Sequence, residues 1–144
     1  METAAMGKVL VPARIENLED LMRTKQGGLT AASVRHVDVA EALVDTGATM
    51  LCLPSRLIRE LGLSRHRTRT SRTAGGIASI GIYEPVRLTV QSRDCVIEVA
   101  EIPDECPVLI GQVPLELLDF VVDPTRRQLI GNPEHGGEQM IEMY

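Results

Sequence analysis

Read for period, the chain is mostly short runs of two-residue alternation, interrupted by a few stretches at helical spacing. Val9, Leu10 and Val11 begin a first strand over residues 7–16. Pro12 within it suits an edge position, because proline has no N–H to offer a second neighbour. Residues 17–24 fit a helical turn that Gln26-Gly27-Gly28 breaks. Val34, Val37 and Val39 lead as an imperfect strand into the apolar run Ala42-Leu43-Val44, and Met50-Leu51-Cys52-Leu53 resumes that pattern after a turn. Residues 54–63 carry the clearest helix, with Pro54 near its start, apolar residues at helical spacing and Gly62 as the stop.

The second half reads as strands and turns. Residues 67–73 and 77–83 flank Ala74-Gly75-Gly76-Ile77, a two-glycine hairpin signal. It projects as a glycine-tipped finger or is an ordinary surface hairpin. Arg65, Arg67, Arg69 and Arg72, with His66 among them, either steer an acidic partner or keep an edge strand solvated, the plainer account. Residues 86–90 and 95–99 alternate around a turn at 91–94 and form another hairpin. Pro107-Val108-Leu109-Ile110-Gly111 is a buried strand, residues 114–119 a short helix, and residues 120–122 and 128–130 strands around Asp123-Pro124-Thr125. Residues 1–6 read as a disordered or tag-derived start, leaving one domain over residues 7–131 and a polar, loosely held tail over 132–144.

Within this pattern one acid is out of place. Asp45 directly follows three apolar residues and precedes Thr46 and Gly47. Desolvating a carboxylate at the end of a buried strand is costly unless something pairs with it. Asp45 therefore either caps its own turn or is there for chemistry. The segment also has an echo. Residues 42–47 and the helix from Pro54 share a design with residues 108–111 and the helix from Pro114, which suggests a β domain of two related halves. Gly111 in the second half lets the backbone approach the Asp45 loop where a side chain would collide.

Composition narrows the classes. Three aromatics (Tyr83, Phe120 and Tyr144) leave an aliphatic core and no base-stacking platform. A net charge of −5 argues against nucleic acid or an anionic membrane as partner. There is no apolar leader and no run long enough to span a bilayer, so a cytoplasmic location is expected. Cys52, Cys95 and Cys106 lack C-x-x-C spacing and read as reduced thiols, while His36, His66 and His135 lie far apart. No metal and no cofactor are expected.

Together, the Asp45-Thr46-Gly47-Ala48 loop after an apolar strand, the later glycine-tipped hairpin and the apolar-apolar-Gly strand with its helix resemble retropepsin-like aspartic proteases. The nearest likeness is to the bacterial single-domain type, in which Leu-Pro and a helix ending in Leu-Gly-Leu follow the catalytic loop. The resemblance covers residues 7–130 and implies a small closed β-barrel-like fold with one or two short helices, working as a homodimer on a polypeptide substrate. It implies Asp45 as the catalytic acid, Thr46 as the residue interlocking the two loops of a dimer, and Gly47 as room for the substrate main chain. Ala74, Gly75, Gly76 and Ile77 then form the flap, and Val108, Leu109, Ile110 and Gly111 the backing strand. Retroviral members place two acids after this loop and Gly-Arg-Asn at the second glycine; this chain has Thr49 and Met50, and Gly111-Gln112-Val113.

Such chemistry needs two carboxylates around one water, and no other Asp here precedes Thr-Gly or Ser-Gly. The second acid is expected from another copy on a twofold axis. Ala48 in place of Ser removes one hydrogen bond to the carboxylates, which favours activity at mildly acidic pH reaching towards neutral. Ile77, Ile80, Ile82, Val108 and Ile110 are candidates to line the cleft, or else core residues. The alternative function is a weak or inactive peptide-binding domain of the same fold.

Overall fold

A computed structural model describes residues 8–143; the expected loose start at residues 1–6 lies outside the described residues. The strands are β1 (Val9–Asn17), β2 (His36–Val44), β3 (Leu51–Pro54), β4 (Arg65–Thr73), β5 (Gly76–Val90), β6 (Arg93–Ile102), β7 (Leu109–Ile110), β8 (Phe120–Asp123) and β9 (Gln128–Gly131). Three short helices join them: α1 (Leu18–Lys25), α2 (Ser55–Leu61) and α3 (Gln112–Leu118). The hydrogen-bonded order β1-β2-β7-β3-β6-β5 returns to β1 through a β1–β5 pairing, so six strands close into a ring. β4 hangs from β5 outside the ring, and β8–β9 forms a separate two-stranded sheet. Among the described residues no helix is long and apolar enough to cross a membrane.

The ladders refine two points of the sequence reading. Pro12 keeps an edge-like position, because β5 pairs with β1 only over residues 14–17 and at Pro12 the strand has β2 alone beside it. Its missing N–H is tolerated at a register shift between Val11 and Ala13, where the ladder is already interrupted. Likewise residues 77–83 and 86–90 are one strand. The shift between Tyr83 and Val86 absorbs Glu84 and Pro85, and β5 bends through it to serve both hairpins.

Alternation then sorts the side chains. Ile15, Leu51, Leu53, Val86, Leu88, Val99 and Ile110 point into the ring and are buried, with Ile58 and Leu61 of α2 and Leu115 and Leu118 of α3 closing it. Burying an aliphatic side chain of this size contributes about 1.5–3 kcal/mol, so a largely aliphatic core, with Phe120 as its one buried aromatic among the described residues, is sufficient. α2 stops where expected, at Gly62 in the left-handed conformation with φ 68°.

Two polar clusters tie the ends down. Asn17 caps α1 by accepting from Asp20 N at 2.9 Å, and its amide donates to Leu61 O at 2.8 Å. The buried Asp20 carboxylate accepts from Arg35 N, Nε and Nη2 at 2.9, 2.8 and 3.0 Å. These bonds hold the Asp20 acid down at about 2, against an unfolded value of 3.8. A lowered acid contributes stability above its unfolded value and loses it as pH falls towards the folded one. Asp20→Asn is expected to cost about 1–2 kcal/mol at pH 7, discounted because Arg35 is half-exposed, and the gap to the parent should close by about pH 2. Denaturant midpoints at the two pH values measure this; an undiminished gap at low pH would exclude the charge as the cause.

The tail is not loose. Residues from Asn132 onward fold back on Asp119, which ends α3 in the left-handed region at φ 61°. His135 Nδ1 lies 2.6 Å from Asp119 Oδ2 and Nε2 lies 2.7 Å from Glu142 Oε2, while Met140 N donates to Asp119 at 3.0 Å. Asp119 foremost, then Glu142, pushes the imidazole's pKa up, and the same contact lowers that of Asp119. Arg93 donates to the carbonyls of Leu118, Asp119 and Gly137 and stacks on Phe120. Polar composition concealed this because the partners are far away in sequence.

Candidate active site

β2 delivers Asp45 to the rim of the ring. Leu43 and Val44 run parallel to Leu109 and Ile110, and the ladder continues as Leu43 N to Val108 O at 2.8 Å and Asp45 N to Ile110 O at 2.9 Å. The chain then turns sharply. Ala48 N donates to Asp45 O at 3.0 Å, and Gly47 N donates to Asp45 Oδ1 at 2.9 Å. Asp45 thus does cap its own turn. That use occupies only one carboxylate oxygen; among the described residues Oδ2 has no hydrogen-bond partner. Asp45 is half-buried, while Thr46 and Gly47 are exposed.

The loop is gripped from behind by α3. A helix begins with backbone N–H groups that no intrahelical carbonyl can accept, and this one has no side-chain cap. Gly111 N, Gln112 N and Val113 N donate instead to Met50 O, Ala48 O and Thr49 O at 3.0, 2.8 and 2.9 Å. The approach is close enough that a Cβ on Gly111 would lie 2.5 Å from Met50 O and 2.6 Å from Ala48 O. Here glycine is required by contact and not by conformation, since φ is −87°. The two halves read as echoes are therefore hydrogen-bonded neighbours, and the glycine of the second seats the acid loop of the first.

An apolar patch adjoins the loop on the outer face of the ring. Cys52, Ile82 and Ala100 are buried in it, with Met50, Ile80, Ile102 and Leu109 packed around them. Burial foremost, then the charges of Asp45 and Cys106, pushes the Cys52 thiol up to about 11. It is a neutral apolar contact at neutral pH, not a nucleophile. Side-chain packing corrects the expected lining. Val108 and Ile110 face the ring interior and are buried, whereas Leu109 between them faces the patch. Met50, Cys52, Ala100 and Ile102 were not singled out; strand parity relative to Asp45 was the signal that would have found them.

β4 and β5 form the finger above. Ala74, Gly75 and Gly76 are exposed at its tip, where Thr73 Oγ1 donates to Gly76 O at 2.9 Å. Ile80 and Ile82 point to the patch. Ile77 does not: it stands across from Arg72 on the opposite face and is 74% exposed. Two surface concavities of about 540 and 390 Å³ lie away from Asp45, along β2 with α2 and along β1 with β2.

No curated protein matches this chain. The family model described as gag-polyprotein putative aspartyl protease matches residues 30–117, from ahead of β2 to the last turn of α3. That span is more than half the chain and holds Asp45, the finger, the apolar patch and Gly111. The chain belongs to this aspartyl protease family.

Proposed function

We propose that this chain is an aspartic endopeptidase acting as a homodimer, in which two copies of Asp45 share one water across a twofold axis. The observation that carries the reading is the state of Asp45: one oxygen is fixed by Gly47 N, the other is free, and the loop is clamped by α3. Its remaining requirement is a second carboxylate. Asp20, Asp38, Asp104, Asp119 and Asp123 are engaged elsewhere in hydrogen bonds, and Asp94 stands opposite Thr89 at the start of β6, whereas the residues of β6 beside β3 are 99–102. A partner copy supplies the acid by symmetry. The free outer edges of the β8–β9 sheet and the exposed Val113 and Leu117 on α3 are surfaces that a second copy can cover.

In the assembled pair, like charges at close range cannot both ionise, so the two acids hold one proton between them. The ionised Asp45 takes a proton from the water as its oxygen attacks the peptide carbonyl. The protonated partner donates to the carbonyl oxygen, and collapse of the tetrahedral species returns a proton to the departing amine. The substrate lies extended along the finger, like an added strand, with apolar side chains on Met50, Leu109 and Ile80. Thr49 and Met50 offer no carboxylates to hold its main chain, which favours slow or narrow cleavage over broad digestion. The same absence supports the second reading, a peptide-binding domain of the same fold that does not turn over.

The test is hydrolysis of a mixed peptide library from pH 3 to 7, over a range of protein concentrations, with and without a statine-type inhibitor. Cleavage between apolar residues, blocked by the inhibitor, is expected at mildly acidic pH, with a rate per chain that rises as sedimentation shows dimers forming. Cleavage by a monomer, or a profile confined below about pH 3, would contradict the shared-acid mechanism.

A further inference from the structure

The basic run on β4 has no part in the chemistry above, and the structure divides its arginines into two kinds. Arg65 lies 3.8 Å from Glu101 and over the Tyr83 ring. Arg67 holds Glu98 through bonds of 2.5 and 3.1 Å, and His66 lies 3.4 Å from the same carboxylate. Arg69 and Arg72 have no acidic partner among the described residues.

Register separates these last two. Arg69 is directly opposite Ile80 and Arg67 opposite Ile82, and residues opposite one another share a face of the sheet. Ile80 and Ile82 are in the apolar patch beside the Asp45 loop. Arg69 therefore stands over the patch, while Arg72, opposite Ile77, is on the other face of the finger. Glu98 shares the face of the patch, two residues from Ala100, but Arg67 takes up its charge. Thr49 and Met50 put no acid on the loop beneath. What remains is an unneutralised guanidinium at the border of an apolar surface.

We infer that Arg69 is a specificity-determining residue that selects peptides carrying an acidic side chain close to the apolar residues seated on Ile80 and the half-buried patch residues beside it. The inference takes the peptide ligand from the reading above and does not need turnover. A guanidinium presents two parallel N–H donors to a carboxylate, and the apolar neighbourhood weakens competition from water. A lysine at the same place in the peptide meets like charge.

Fluorescent peptides with one apolar core, bearing Glu, Gln or Lys at each flanking position in turn, are titrated onto Asp45→Asn protein. The unlabelled set is offered to the parent protein for cleavage. At one position Glu should bind about five- to tenfold more tightly than Gln, with Lys weakest. Arg69→Glu should reverse the Glu–Lys order, Arg69→Gln should level it, and Arg72→Glu should leave it unchanged. Both arginines are exposed on the finger, so circular dichroism should match the parent. Binding that ignores charge, or an Arg69→Glu protein that still prefers Glu, overturns the inference and leaves edge solvation as the role of the run. Charge-selective binding without cleavage overturns the hydrolase and keeps the inference; cleavage without charge preference does the reverse. If no peptide binds, both fall.

Discussion

Asp45→Asn should abolish peptide hydrolysis, by at least about 10⁴-fold, and leave both fold and association intact. The amide keeps the shape of the carboxylate, and its oxygen can still accept from Gly47 N, the one bond the Asp45 side chain makes among the described residues. No ion pair among them is lost, so the change in stability should stay within about 0.5 kcal/mol. What is lost is the base. On the proposed mechanism each site draws one acid from each chain, so mixing gives a sharper reading than the variant alone. Parent and variant combined in equal amounts and allowed to exchange should retain about a quarter of the parent's activity per total chain, since only parent–parent pairs hold two acids. Retention of half would mean that each chain works by itself, and full activity in the variant would remove Asp45 from the mechanism altogether.

Gly111→Ala has the second-largest expected effect, and it acts on the same acid from behind. The added methyl would fall 2.5 Å from Met50 O and 2.6 Å from Ala48 O, both backbone atoms of the Asp45 loop. Neither can rotate away as a side chain would, so the loop or α3 must move. Movement breaks some of the three bonds from Gly111, Gln112 and Val113 that hold the loop. A cost of about 2–4 kcal/mol is expected, combining overpacking with lost hydrogen bonds. Any hydrolysis that survives should fall by more than about 100-fold, because a displacement near 1 Å at a reacting group is enough. Gly75→Ala at the finger tip is the control: its nearest neighbour would be 3.9 Å away, and little change is expected. Chemical denaturation and the peptide assay measure both. A Gly111→Ala protein with parental stability and rate would show that the contact behind Asp45 does not hold the loop.

Arg69 and Gly111 act independently. Arg69 stands on the exposed finger and Gly111 in the scaffold beneath the acid, so their variants should report on the proposed selectivity and on stability respectively.

Local signals in the chain were sufficient wherever the deciding contacts lie close in sequence. Alternation and turn residues located the β5–β6 hairpin and the finger, and Pro54 with Gly62 bracketed α2, because helix ends and tight turns are settled by neighbouring dihedrals. Asp45 stood out for a similar reason: an acid against an apolar run is anomalous in any fold. Even the approach of Gly111 to the acid loop could be read, from the repetition of strand, glycine and helix.

Tertiary pairing decided the rest. Val108 and Ile110 look as eligible for a cleft as Leu109, and only the placement of β7 between β2 and β3 turns the middle residue outward. Ile77 shares composition with Ile80 and Ile82 but not parity, and a one-residue offset in a strand reverses its face. Pro12 and Pro85 sit beside or within ladder shifts that nothing nearby announces. The tail from Asn132 becomes ordered through Asp119, and one arginine of a basic run is left free because Glu98, about thirty residues on, neutralises another. In each case the outcome depended on a partner brought close by tertiary pairing, and that proximity is a property of the folded chain and of no single segment.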